Sequence, residues 1–488
     1  MSGSGVYVFA TPSVATSRRN ALRSLGAAAL AAAAPATLRL TGCARAPDAD
    51  VIVVGAGLAG LQAATILQDA GLNVLILEAD DRLGGRVWTM DGVPGRPEAG
   101  GTEIAAGYAR VQDAIKRLGL ATTNWIETVD LNFALHVNGT TMPIADWPDS
   151  ELNKLVGPER NTGPFGPFAL PMIYAPRPSP LSELDSWLAV ENQKFDVAYG
   201  DFLREAGASD AALDIMDMLV PSTSANGVSA LWQLRAFRFQ QEMGGLDGLV
   251  RLADGSSRLP EAMASKLANE VRLGVPVTGI ETTNTGVMLQ DAADRRYSAR
   301  FCVCTAPLGA LRDIAFSPSL PDLHAQAVGT IPPGDNTSIY FHVKEPFWEV
   351  DGLPGATWST TTMGRAMKYR GADEYYLWMN KSGAANVEFR DLGEAEIRER
   401  AMAELIAARP SAEGRVEITA VMSWHQLPFQ KGHIPYRAPG NIAQFGNVLA
   451  ESHGRIHFAG DYTAVLNLGL EGAMESGERA ALEILNQV

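Results

Sequence analysis

The sequence predicts an α/β fold organised around a dinucleotide-binding βαβ unit, and three observations predict it. Val51 to Val54 is a short, wholly apolar run. Gly55-Ala56-Gly57-Leu58-Ala59-Gly60 comes immediately after it and places three glycines at GxGxxG spacing. Leu61 to Ala70 repeats apolar residues at a helical period, stops at Gly71, and leads into a second apolar run, Asn73 to Leu77, closed by Glu78. Strand, glycine turn, helix and strand in that order open a Rossmann-like domain.

Each part has a physical reason. Gly55 permits the tight turn, Gly57 lets the backbone approach a pyrophosphate, and Gly60 lets the helix pack closely on the strand. The helix start offers free N–H groups and the positive end of its dipole to phosphate. Glu78 stands eighteen residues beyond Gly60, where a carboxylate accepts hydrogen bonds from ribose hydroxyls. These residues alone leave NAD and FAD both open.

Composition bounds the rest. The 488 residues are 46% hydrophobic and 19% charged, a globular mixture long enough for two domains with large cores. Forty basic against 55 acidic residues give a net charge of −15, a surface that repels nucleic acid and anionic lipid. Three cysteines and seven histidines show no metal-ligand spacing, so no metal is expected. Cys302 and Cys304 alternate with Phe301 and Val303 in "RFCVCTAP". That pattern is a buried strand, with both thiols on one face and poorly placed for a disulfide.

Residues 1–48 precede the fold and carry their own signal. Arg18 and Arg19 form a positive start, Leu25 to Leu38 is apolar, and the run exits through small residues to Cys43. The apolar stretch is shorter than the roughly 20 residues a bilayer core needs, so an export signal is expected rather than a membrane span. Ser17-Arg18-Arg19-Asn20-Ala21-Leu22 resembles a twin-arginine pattern, and Leu40-Thr41-Gly42-Cys43 resembles a bacterial lipobox in which Cys43 is lipidated. The expected location is periplasmic, with membrane contact only through a lipid on Cys43. Residues 1–42 hold four arginines and no acid, so the exported chain has 36 basic residues against 55 acids, a net charge of −19.

The residues just beyond Glu78 separate the two dinucleotides. Arg82-Leu83-Gly84-Gly85-Arg86 resembles the second fingerprint of the flavin amine oxidase superfamily, which includes monoamine, polyamine and L-amino-acid oxidases. The resemblance implies FAD, with Gly84 and Gly85 passing close to it and Arg82 and Arg86 among its contacts. The family's usual arginine two residues after the acid is Asp80 here. "PEAGGTEI" resembles the flavin-facing segment and implies contacts from Gly100, Gly101 and Thr102. "ADGSSRLPEAMASKL" is similar to the stretch before a helix, with Val277 beyond it at the adenine. "TAPLGALRDIAFSPSLP" and "IPPGDNTSIYFHVKEPFW" are similar to the central segments. "IHFAGDYT" with "GLEGAMESGERAALEIL" resembles the closing strand, loop and helix, which implies that Gly460, Asp461 and Leu470 lie near the flavin. The likeness spans nearly all of 49–488.

The implied architecture is an amine oxidase-like two-domain fold. A Rossmann-like FAD-binding domain (49–127, 244–316 and 427–488) interleaves with an α+β substrate-binding domain (128–243 and 317–426). Within the second, "LSELDSWLAVENQKF" and "DAALDIMDML" are expected to be helical, strands are expected around Ile339 and Tyr376, and a helix over about 395–408 before Pro410.

The implied activity is FAD-dependent oxidation of an amine, hydride passing from its α-carbon to flavin N5 before the imine hydrolyses. Three positions depart from the monoamine oxidase pattern. Gly432 stands where the flavin-linking cysteine falls, so FAD is expected to be noncovalent. His433 and Gly469 replace the two tyrosines of the aromatic cage, with Tyr436 or Trp424 as candidates to fill the space. Ser338 stands in place of the lysine that assists oxygen, beside Asn336 and Thr337, with Lys431 the nearest substitute. The expectation is therefore a dehydrogenase-like enzyme passing electrons to a periplasmic acceptor protein. Thr102-Glu103-Ile104 lacks a carboxylate-binding arginine, which disfavours an α-amino acid. Glu103 is either a site for a second cationic group or simply solvated. His342, on an alternating strand, is expected to be a core histidine, and Pro164 to Pro180 a surface wrap. Two other functions stay open at this point: a flavin-dependent C–C desaturase or isomerase, and a redox-inert anchored protein that retains FAD.

Overall fold

The computed structural model describes residues 47–161, 169–176, 179–218, 220–245, 248–371 and 374–488. The leader with its paired arginines and Cys43, and much of Pro164 to Pro180, lie outside the described residues.

Strand β1 (Ala49–Val54) lies between two parallel neighbours, β2 (Val74–Leu77) and the strand Arg296–Cys304. Covered on both faces, its sequence is continuously apolar rather than alternating. Helix α1 (Leu58–Asp69) starts inside the glycine run, three residues earlier than the periodicity suggests, because Gly57 takes an extended backbone and serves as its N-cap. Gly71, at φ +88°, turns the chain back toward β2.

Among the described residues, seven strands form the first sheet. Its order is Ala315–Ser317, Val277–Thr282, Val287–Asp291, Arg296–Cys304, β1 and β2, with Ile456–Phe458 also parallel to Arg296–Cys304. Val51, Val53, Phe301 and Val303 face α1 and the C-terminal helix Gly469–Leu485. Ile52, Cys302 and Cys304 face the opposite core with Leu308 and Phe458. The two thiols are buried and free, on one face of one strand, as the alternation predicts.

Eight strands form the second sheet, in the order Val416–Ser423, Thr337–Val343, Tyr375–Lys381, Arg365–Arg370, Ala356–Ser359, Phe133–Val137 and Thr140–Pro143, with Val129–Asp130 beside Arg365–Arg370. Ile339 and Phe341 point to the helix Glu394–Ala408, packing with Ile397, Ala401 and Leu405. Tyr340, Met367 and Tyr369 point the other way, into a core shared with Trp424 and the helix Ala230–Glu242. The period-2 alternation of this sheet therefore separates the face that packs on Glu394–Ala408 from the face that packs with Trp424 and Ala230–Glu242.

Two expectations are corrected. "LSELDSWLAVENQKF" forms two 3-10 turns, Ser186–Leu188 and Val190–Phe195, because Ala189 between them is extended at φ −68° and ψ 138°. His342 is half-buried at the sheet surface, with Nδ1 3.2 Å from Glu374, and not in the core. Asp210–Asp217 and Glu394–Ala408 are helical.

Candidate active site

The glycine turn is held by contacts that a side chain would destroy. A Cβ at Gly55 would lie 2.4 Å from Thr305 Oγ1, and Gly55 sits at φ +104°. The Thr305 hydroxyl donates to the Val54 carbonyl at 2.7 Å, which clamps the end of β1. A Cβ at Gly60 would lie 2.1 Å from the Gly55 carbonyl oxygen, so α1 approaches the turn as closely as glycine allows. Glu78 closes the turn from β2. Its Oε2 accepts from the Ala56 amide at 2.5 Å and its Oε1 from the Asp80 amide at 2.9 Å. Burial pushes this carboxyl above the usual range while those amides pull it down.

The second glycine pair packs on the first. Gly84 donates its amide to the Ala56 carbonyl at 3.0 Å, and Gly84 pairs with Gly57 as an isolated parallel bridge. Arg82 braces this loop rather than reaching the cavity beyond it. Its guanidinium donates to the Gly85 carbonyl at 2.7 Å and stacks 4.2 Å from the Trp88 ring centroid. In this position Arg82 holds the second glycine loop in place. Arg86 lines the cavity, but its donors are engaged by the Asp461 carboxylate and the His433 carbonyl.

A cavity of about 840 Å³ runs along these elements. Its walls include Gly55, Gly57, Glu78, Gly84, Gly85, Arg86, Gly100, Gly101, Thr102, Val277, Gly460, Asp461 and Leu470. Close backbone approach is again enforced: a Cβ on Gly100 would lie 2.4 Å from the Arg86 carbonyl oxygen. Of the residues expected at the cofactor, Gly60 and Arg82 stand behind this lining.

The same cavity is also lined by His433, Gly469, Trp424 and Tyr436. Trp424 is buried, donates Nε1 to the Ala99 carbonyl at 3.3 Å, and so backs the Gly100 segment. Burial and the nearby Arg86 charge push His433 down to about 4, so its ring is neutral at pH 7. A Cβ on Gly469 would meet nothing within 4 Å, and the space an aromatic ring would fill is open. Gly432 is different. A Cβ there would lie 2.6 Å from Pro333 Cβ and 2.7 Å from its carbonyl oxygen.

Ser338 does not line the cavity. It is buried in Thr337–Val343, and its hydroxyl donates to Asn336 Oδ1 at 3.1 Å. Lys431 holds its ammonium 2.6 Å from Asp313, on an exposed edge. Glu103 does line the cavity, and no side chain among the described residues hydrogen-bonds or ion-pairs with it.

One wall carries no signal among the motifs. The helix Ala230–Glu242 contributes Trp232, Gln233, Ala236, Phe239 and Gln240. Those positions fall at spacings of one, three, three and one, one face of a helix, and only that periodicity in "LWQLRAFRFQQ" could have found it.

Comparison with known proteins agrees with this layout. The family model described as flavin containing amine oxidoreductase matches residues 58–485. The chain is 27% identical to human amine oxidase [flavin-containing] B over 477 residues, covering 90% of this chain and 86% of that protein. Cyclohexylamine oxidase from Brevibacterium oxydans superposes with a TM-score of 0.74 at 26% identity, covering 90% of this chain and 99% of that one. Putrescine oxidase bound to putrescine shares the fold, with a TM-score of 0.74 at 22% identity and the same coverage. With the match running from the glycine turn into the last helix, the chain belongs to the flavin-containing amine oxidoreductase family.

Proposed function

We propose that the chain oxidises an amine at its α-carbon using FAD held without a covalent bond, and that water converts the resulting imine to an aldehyde or ketone. One observation carries this reading: a continuous cavity joins the glycine turn and Glu78 to His433, Gly469 and Trp424. A dinucleotide and a substrate would share one space.

This chain's own features fit the cofactor. Helix α1 begins with no side-chain cap and no acid in its first turn, and Leu58 and Ala59 line the cavity. Its N-terminal N–H groups are therefore available to phosphate oxygens. Glu78 has lone pairs beyond those used by the two amides and suits ribose hydroxyls. The tight packing of Gly432 on Pro333 leaves no room for a sulfur-bearing side chain there, which supports noncovalent binding. When bound, the flavin supplies the acceptor for the hydride and its electron pair. The chain orients the amine and provides a neutral His433 that neither repels nor neutralises a charged substrate.

The open space at Gly469 supports a substrate broader than a flat aromatic cage would admit. The short, inward-turned Ser338 supports an electron-transfer protein as acceptor rather than oxygen, because a cation at that position would stabilise the charge that develops as oxygen is reduced. As part of the same proposal, Arg18, Arg19 and the apolar run before Cys43 serve as an export leader, which supports a periplasmic reaction.

The test is an anaerobic amine panel on purified holoenzyme. Bleaching of the flavin absorbance with stoichiometric ammonia or amine release is the expected result. Bleaching by non-amine substrates alone contradicts the proposal. Stopped-flow reoxidation in aerated buffer tests the acceptor separately, and oxidase-like rates would contradict an electron carrier.

A further inference from the structure

We propose that Arg235 is a positioning residue for the reaction: with Glu475 it fixes the peptide planes of residues 464–467, and through them the Gly469 face of the cavity. This inference rests on the amine oxidation proposed above and assigns it a residue outside the cavity lining.

Arg235 lies on the helix Ala230–Glu242, whose Trp232 lines the cavity, while Arg235 itself stands behind that lining. It is 2% exposed. Its guanidinium packs against two indoles, 4.2 Å from the Trp187 ring centroid and 4.7 Å from that of Trp232. Its acceptors are carbonyls rather than a carboxylate. Nη2 donates to the Ala464 carbonyl at 2.8 Å, to Val465 at 3.2 Å and to Asn467 at 3.1 Å. Trp187 Nε1 donates to the same Val465 carbonyl at 2.9 Å. Burial, and then the nearby Arg437 charge, lower Arg235 to about 9, so it remains a cation at pH 7.

Glu475, on the C-terminal helix Gly469–Leu485, holds the other side of the loop. Its carboxylate accepts from the amides of Val465 at 2.9 Å, Leu466 at 3.0 Å and Asn467 at 2.8 Å, and from Asn467 Nδ2 at 2.8 Å. The peptide unit joining Ala464 to Val465 therefore has its oxygen on Arg235 and its N–H on Glu475. The unit joining Val465 to Leu466 repeats the arrangement. Each peptide dipole lies with its negative end on a cation and its positive end on an anion, both through charge-assisted hydrogen bonds. Turning either plane over would point an oxygen at Glu475 and leave Arg235 facing an N–H.

The loop matters because of what it joins. Asp461 and Tyr462 before it, and Leu468, Gly469 and Leu470 after it, line the cavity. Gly469 sits at φ +57° and opens the C-terminal helix. A changed plane within 464–467 moves Gly469 relative to Asp461. Trp232 packs on the same guanidinium, so one residue couples the helix wall to the Gly469 face. A misplacement of about 1 Å between reacting groups costs up to about 100-fold in rate.

The experiment measures anaerobic flavin reduction in FAD-saturated wild type, R235K, W187F, E475Q and R235K/E475Q, using the amine from the panel above that reduces wild type fastest. Lysine keeps the charge but lacks the planar fork that stacks on indole and spans several acceptors. R235K is expected to slow the limiting reduction rate by about 10- to 100-fold, with the apparent amine Kd changed by less than about threefold. W187F removes one donor from the Val465 carbonyl and should slow the step by about 2- to 10-fold. The double variant should lose about as much as the worse single variant, because both side chains hold the same peptide units. An R235K limiting rate equal to wild type, or losses that multiply in the double variant, would overturn the proposal. A role in stability alone predicts a lower melting temperature with an unchanged limiting rate in the FAD-loaded protein, which also counts against it. Should R235K fail to fold, unchanged rates in both W187F and E475Q would be decisive against the clamp. If no amine reduces the wild-type flavin, amine oxidation itself fails, and the visible absorption of bound FAD reads the loop instead. A shifted maximum in R235K or E475Q then supports the positioning role, and unchanged spectra in both contradict it.

Discussion

Arg86 and Asp461, 375 residues apart in the chain, form a two-pronged ion pair: Nη2 lies 2.5 Å from Oδ1 and Nη1 lies 3.1 Å from Oδ2. Nη1 also donates to the His433 carbonyl at 2.5 Å. One guanidinium thus ties the second glycine loop to the His433 segment and to the loop before the C-terminal helix. The planar fork is what an arginine supplies and a lysine does not. R86K is expected to weaken FAD binding about tenfold or more, from the loss of at least one charge-assisted hydrogen bond worth ~1.5–3 kcal/mol. Fluorescence titration of apoprotein with FAD reads this directly; unchanged affinity would show that the fork is dispensable.

Gly55 and Gly60 predict a loss of the cradle on minimal substitution. Gly55→Ala places a methyl against Thr305 Oγ1 at a positive φ, and Gly60→Ala drives one into the Gly55 carbonyl. Backbone strain alone costs ~1–3 kcal/mol at Gly55, while at Gly60 the cost is the steric clash with the turn. Both variants are expected to purify with little flavin and a lowered melting temperature. Retention of full flavin by G60A would contradict the close helix–turn contact.

Gly469 gives the opposite expectation. Space is free there, but φ is +57°, so Gly469→Ala should fold with a penalty of about 1–2 kcal/mol from the left-handed backbone. The added methyl narrows the open face of the cavity. The ratio of kcat/KM for bulky over small amines should fall, measured on a matched pair of primary amines.

His324 predicts a slope in acid stability. It is buried against Phe458, with ring centroids 4.7 Å apart, and burial lowers it to about 4. The unfolded chain takes up this proton below about 6.5, whereas the folded chain resists until about 4. The neutral ring is therefore fully compatible with folding above 6.5, and stability falls as pH drops from 6.5 toward 4. His433 adds to the same window. His324→Phe should flatten part of this slope in melting temperature against pH; an unchanged slope would assign it to other groups.

Lys381 lies within the second sheet, its ammonium paired with Glu404 and the Thr362 carbonyl. Burial lowers it to about 8. Glu404→Gln leaves a buried cation without its counter-charge and is expected to cost about 3–5 kcal/mol. Replacing the pair together, with Lys381→Met and Glu404→Leu, should recover much of that loss in denaturant unfolding.

The glycine cradle was legible in sequence because its requirements are local: a positive φ, a close approach, and an acid at fixed distance. The alternation that set Ile339 and Phe341 against Tyr340 was legible for the same reason. Contacts between distant segments were not. Nothing in "LGGRVW" signals that Arg86 meets Asp461, and nothing in "DDRLGG" signals that Arg82 stacks on Trp88. The segment 181–195 carries helical periodicity, but an extended Ala189 divides it into two turns. Glu103 showed only its residue type; its place on the cavity wall depends on the segments that fold around it.

The central claim is that this chain holds FAD by shape and hydrogen bonds alone, in the cradle from Gly55 to Asp461. Denaturing the purified yellow protein and filtering it through a membrane that retains the chain measures this. Noncovalent binding predicts free FAD in the filtrate at about one equivalent per chain and a colourless retentate. Colour that stays with the unfolded chain, or folded protein that never binds FAD on reconstitution, would contradict it.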